Sequence, residues 1–134
     1  MASTANFRAS GHVSQTHSGD FIVGKVGKDL TAEEGAKAAQ CIALSLLATL
    51  KAELGSLDHI KRIVKLTGFV NCTSDFTAQS TVMNGATELL VKVFGDAGRP
   101  ARSALGMNAL PFNVAVEIEA IVEVDASVAT NSKL

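Results

Sequence analysis

The chain has 134 residues, 47% of them hydrophobic, which sizes it as one domain around one core, with a second domain improbable. Twelve basic and 13 acidic residues leave a formal net charge of −1 without blocks of like charge, so it offers no electrostatic footprint for nucleic acid or an anionic membrane surface. Trp and Tyr, the usual platforms for stacking bases or sugars, are absent, and no run approaches the roughly 18 apolar residues that span a bilayer. The two cysteines, Cys41 and Cys72, are far apart and no basic-then-apolar leader precedes them, so a reduced, cytoplasmic protein is expected, with no disulfide framework and no cofactor.

At the N-terminus, "ANFRAS" (5–10) and "DFIVGKV" (20–26) read as two short strands joined by a polar loop. The segment "TAEEGAKAAQCIALSLLATLKAELG" is a helix. Thr31 and Glu34 have capping-box spacing, Gly55 supplies a left-handed stop, and Ala39, Ile42, Ala43, Leu46, Leu47, Leu50 and Leu54 recur at three and four. A strand is expected at "IKRIVKLTGFVN" (60–71) and a second helix from about Thr77 to Phe94, with Val82, Met83, Ala86, Leu89, Leu90 and Val93 on its apolar side. After "GDAGRP" comes a short strand, "ARSALGM", then a turn at Pro111, Phe112 and Asn113. In "VAVEIEAIVEV" (114–124) the alternation is strict, with Val114, Val116, Ile118, Ala120, Val122 and Val124 facing one way and Ala115, Glu117, Glu119, Ile121 and Glu123 the other.

The order β-β-α-β-α-β-β predicts one α+β sandwich over 1–134, with both helices on one face of a mixed sheet and flexible ends at 1–5 and 126–134. The opposite face, expected to carry Ile63, Phe69, Ala115 and Ile121 amid charges, has no third helix to cover it. Other copies of the chain are the economical cover, hence a closed homo-oligomer.

Three stretches carry a family resemblance. "PARSALGMNALPFNVAVEIEA" (100–120) is similar to the C-terminal signature of the RidA/YjgF family, also called the L-PSP endoribonuclease family: an arginine followed by Ser, a short strand, a Leu-Pro turn and a Val-rich strand ending in E-x-E-A. "ASGH" (9–12) resembles that family's Ser-Gly turn, and "GFVNCTSDFTAQSTVMNGA" its strand-loop-helix unit. The resemblance covers roughly 6–124, with features of a less characterised branch. It implies a chorismate-mutase-like fold, a homotrimer, and a ligand cleft between subunits.

The resemblance also implies roles for individual residues. Arg102 matches the arginine that grips the carboxylate of a small imino or enamino acid, a task suited to its planar two-pronged fork. Glu117 matches the glutamate that directs water onto the imine carbon. Ser10 and Gly11 match the turn lying against the substrate, His12 follows where relatives carry a polar side chain, Asn84 resembles an asparagine near the cleft, and the Ala104 backbone N–H is a second donor to the carboxylate. Without the resemblance, Arg102 reads as a surface arginine in a salt bridge, Glu117 and Glu119 as strand glutamates, Asn84 as a helix packing detail and His12 as solvent-facing. Relatives typically carry an aromatic residue over the substrate, and none is assigned here. The implied activity is hydrolytic deamination of 2-imino acids to 2-oxo acids and ammonia. The competing readings are a non-catalytic sensor of small carboxylates and an endoribonuclease, the latter disfavoured by near-neutral charge and few aromatics.

Overall fold

The computed structural model describes residues 3–129. Its main elements are β1 (Thr4–Val13), α1 (Ala32–Leu54), β2 (Ile60–Asn71), α2 (Gln79–Phe94), β3 (Ala101–Met107), β4 (Val116–Asp125) and a short closing helix, α3 (Ala126–Ala129). The four strands form one mixed sheet in the order β1-β4-β2-β3. β4 runs antiparallel to both neighbours and β2 pairs in parallel with β3. This is the expected α+β architecture, with both long helices packed on one face.

α1 begins as its sequence dictates. The Glu34 amide donates to Thr31 Oγ1 at 3.1 Å, the Thr31 amide donates to Glu34 Oε1 at 3.0 Å, and Gly55 ends the helix at φ 84°. All seven expected apolar positions of α1 are buried, and each large one withdrawn from water contributes about 1.5–3 kcal/mol. α2 starts at Gln79, two residues later than expected, and buries Val82, Met83, Ala86 and Leu90. Val93, assigned to the same side, is 45% exposed, because the core-facing line runs from Leu90 to Phe94 and leaves Val93 on its flank.

The N-terminal expectation needs correction. "ANFRAS" lies within a single ten-residue strand, whereas "DFIVGKV" forms only isolated bridges, Gln15 with Phe21, Val23 with Val114 and Val26 with Cys72. Positive φ at Gly24 and Gly27 breaks the extended run there. Within the expected flexible ends, Thr4 and Ala5 pair with Asp125 and Val124, and 126–129 are helical. The remainder of the expected flexible ends, 1–2 and 130–134, lies outside the described residues.

The open sheet face differs in two residues. Ile63 belongs to the core, 1% exposed, because β2 carries register shifts against β4 between Ile60 and Arg62 and again between Ile63 and Lys65. Each irregularity reverses the inward-outward parity, so Ile60, Ile63 and Leu66 all face the helices at a spacing of three. Ala115 is buried too, its N–H bonded to the Ile22 carbonyl at 2.9 Å, so the 21–24 segment covers it. Phe69, Ile121 and Leu105 remain on the face away from the helices, partly or well exposed.

The turn between β3 and β4 is held from below. Phe112 and Asn113 adopt positive φ, 58° and 57°, an uncommon conformation for a bulky residue that surrounding structure must enforce. Buried Asn71 donates to Asn113 Oδ1 and to the Val114 carbonyl, both at 3.2 Å, and accepts from Lys25 Nζ at 3.0 Å. The same ammonium donates to the Asn108 carbonyl. The turn is thereby tied to the end of β2.

Candidate functional site

Arg102 sits on β3, opposite buried Leu66 of β2, which directs its side chain to the helix side of the sheet. There it meets a stripe of α2 with helical spacing: Ser80, Asn84 and Thr87. Nη1 donates to Asn84 Oδ1 at 2.9 Å and to Thr87 Oγ1 at 3.1 Å, and Nη2 to the Ser80 carbonyl at 3.5 Å. The Thr87 hydroxyl proton is directed to the Met83 carbonyl at 3.3 Å or the Asn84 carbonyl at 3.4 Å, leaving its lone pairs for the arginine. Among the described residues no carboxylate lies within 4.0 Å of Arg102, so the salt bridge of the ordinary surface reading is not formed. Its charge is held by neutral oxygens at a cavity of about 600 Å³ whose walls include Asn84, Thr87, Val91 and Pro100. The sequence reading found Asn84 but missed Thr87 and the Ser80 carbonyl. Their helical spacing from Asn84 marks them only once Arg102 is placed against α2.

Glu117 belongs to the other side of the sheet. It lies opposite Phe69 on β2 and Val13 on β1, between the buried Val116 and Ile118. Gly11 faces it so closely that a β-carbon there would stand 2.5 Å from Glu117 Oε2. Ser10 is displaced from this pair. With Arg8, Lys65, Thr67 and Glu119 it borders a separate cavity of about 390 Å³.

His12 turns toward the helices. Nδ1 donates to the Ser10 carbonyl at 2.9 Å, so in the neutral ring Nε2 accepts from the Thr49 hydroxyl of α1 at 3.0 Å. Both ring nitrogens are thus engaged within the chain, away from Glu117. Ala104 lies opposite Gly68 on β3, an edge strand with half of its backbone groups directed away from the sheet.

These residues fall into two groups. Arg102, Asn84 and Ala104 stand at the β3 margin, and Ser10 and Gly11 at the β1 margin, with β2 and β4 between them. Three strand spacings separate the margins, about 14 Å. Arg102 and Glu117 also occupy opposite faces, so within one chain they do not converge on a ligand of a few heavy atoms. Cys72 is buried and Cys41 partly buried, both as free thiols. Among the described residues no cluster of three or more His, Cys, Asp or Glu side chains could hold a metal ion, and no helix is long and apolar enough to cross a membrane.

The family model described as "YjgF/chorismate_mutase-like, putative endoribonuclease" matches residues 3–124. "Protein TCP17" of Trypanosoma cruzi is 43% identical over 126 residues, 93% of this chain and 79% of its own length. Among solved structures, the protein Atu1372 of unknown function from Agrobacterium tumefaciens superposes with a TM-score of 0.86 at 42% identity, over 90% of this chain and 78% of that one. A "putative endoribonuclease" from Shewanella oneidensis gives a TM-score of 0.84 at 28% identity, over 89% and 79% of the two chains.

Proposed function

Because the chain belongs to the YjgF/chorismate-mutase-like family, matched over residues 3–124, we propose that it hydrolyses small 2-imino or enamino acids in a cleft between subunits of a homotrimer. The observation that carries this reading is the Arg102 guanidinium, fixed by Asn84 and Thr87 yet without a carboxylate partner among the described residues. An arginine oriented by neutral acceptors keeps its charge available for an incoming anion, and its fork suits a carboxylate.

The chemistry follows from an imine's own electrophilicity. Arg102, aided by the Ala104 N–H, holds the substrate carboxylate at the β3 margin of one subunit, while the β1 margin of another presents Gly11 and Glu117. Glu117 takes a proton from water as the oxygen bonds to the imine carbon, and the nitrogen gains a proton. Collapse of the resulting carbinolamine breaks the C–N bond, releasing ammonia and forming the 2-oxo acid. Gly11 leaves room beside the carboxylate that a side chain would fill.

The direct test generates 2-iminobutyrate in situ and follows ammonia release, with sedimentation of the same sample. Accelerated hydrolysis by a trimer supports the reading. A trimer that binds 2-oxobutyrate without accelerating hydrolysis makes the protein a carboxylate sensor, and a monodisperse monomer at micromolar concentration removes the basis for a cleft between subunits.

A further inference from the structure

The Arg102 cavity is more basic than a monocarboxylate requires. Besides Arg102 its walls include Lys92, near the end of α2, and Arg99, from the loop before β3, against the single carboxylate of Glu88. Lys92 and Glu88 form no ion pair among the described residues. Arg99 reaches Asp96 only at 3.7 Å, with 70% of its side chain exposed, a contact that water and salt largely cancel. Three cations and one carboxylate therefore line the cavity, with Asp96 outside it as the weak partner of Arg99. The cavity is an open groove of about 600 Å³, with room for more than a four-carbon acid.

We propose that Lys92 and Arg99 form a second anion subsite beside Arg102, selecting substrates that carry a further carboxylate at the end remote from the imino acid group. This rests on the assignment of Arg102 as the carboxylate clamp and extends it to a substrate class, the 2-imino dicarboxylates. Both cations are accessible, so the preference operates in moderate dielectric and weakens as salt is added.

Calorimetry on the intact protein decides it, with 2-oxoglutarate and 2-oxobutyrate as stable product-like probes. The wild type should bind 2-oxoglutarate about tenfold more tightly at low ionic strength, the scale of one added charge-assisted contact. Arg99→Gln and Lys92→Gln should each reduce that preference several-fold and leave 2-oxobutyrate within about twofold, while Lys51→Gln, which removes a charge on α1 outside the cavity, should change neither. Equal affinity for the two acids in the wild type, or equal loss for both in the Arg99 and Lys92 variants, overturns the second subsite and leaves the Arg102 clamp standing. Binding of neither acid overturns the clamp and the subsite together.

Discussion

Gly11 and Glu117 are packed so that the glycine's missing side chain is the space the carboxylate occupies: a β-carbon on Gly11 would lie 2.5 Å from Glu117 Oε2 and 3.0 Å from its Cδ. Gly11 lies where the β1–β4 register shifts between Ala9 and His12, so a local irregularity of the edge strand brings its backbone against the glutamate. The contact involves the far end of a flexible side chain, which can swing away.

Gly11→Ala should therefore leave the fold nearly intact while turning the Glu117 carboxylate aside. The expected outcome is an unchanged thermal midpoint within a few degrees and a ten- to hundredfold drop, roughly, in imine hydrolysis, the scale of a small misplacement of a catalytic group. A variant as fast as wild type would show that the carboxylate position does not limit the reaction.

Gly85 tests packing rather than chemistry. It follows Asn84 on α2 at the crossing with α1, where an added β-carbon would meet the Ala36 carbonyl oxygen at 1.9 Å. Alanine improves helix propensity by about 1 kcal/mol in an open helix. A backbone atom cannot rotate away, however, so the overpacking dominates. Gly85→Ala should lose about 2 kcal/mol or more in urea unfolding, and should weaken oxo-acid binding because Asn84, which orients Arg102, shifts with it. A stabilised variant would mean the two helices can separate without cost.

Asp125 gives a pH dependence with a definite sign. Hydrogen bonds from Lys61 and then His59 hold its carboxyl below the usual carboxylate range, and the lysine contact is 3.2 Å. A depressed folded pKa means that the unfolded state binds the proton more readily. The stabilisation is therefore present above the ordinary carboxylate pKa and lost as pH falls through the lowered folded value. Asp125→Asn should be modestly less stable than wild type at pH 7, with the two urea midpoints converging in strong acid. Parallel midpoints over the whole range would show that the ion pair adds nothing.

The parts of the fold legible in the sequence were those governed by local rules. Thr31, Glu34 and Gly55 determine the ends of α1 through their own backbone neighbours, and β4 alternates strictly because the extra residues at its irregular pairings lie on β1 and β2 rather than on β4 itself. Ile63 was misread because β2's irregular pairing, visible only across strands, inverts the alternation. The 20–26 segment had strand composition, yet its extended run is interrupted at Gly24 and its hydrogen bonds go to separate partners in the 14–16, 71–73 and 113–115 regions. Arg102 and Asn84 were legible through the resemblance, and the structure bonds them to each other. Thr87 was not, because a threonine within a helix has no distinctive spacing until the arginine that it holds is located. His12 was marked by its place beside the turn, while its orientation depended on Thr49, 37 residues away.

The clamp and the water-directing group make separable predictions because one binds the substrate carboxylate and the other activates water. Arg102→Lys keeps the charge but loses the fork and cannot reproduce the pair of bonds from Nη1 to Asn84 and Thr87, so calorimetry with 2-oxobutyrate should show at least about tenfold weaker binding. Glu117→Gln keeps the shape, and since the carboxylate is held by Arg102 rather than by Glu117, oxo-acid binding should stay within a few-fold. Hydrolysis of 2-iminobutyrate should fall by about two orders of magnitude or more, the worth of a positioned base. Sedimentation must accompany both assays, because Glu117 shares its sheet face with Phe69 and Leu105 and an assembly defect would imitate a catalytic one. A Glu117→Gln protein of unchanged assembly that hydrolyses at the wild-type rate would remove the glutamate from the mechanism while leaving Arg102 in place, and an Arg102→Lys protein with undiminished affinity would move the carboxylate site away from Arg102.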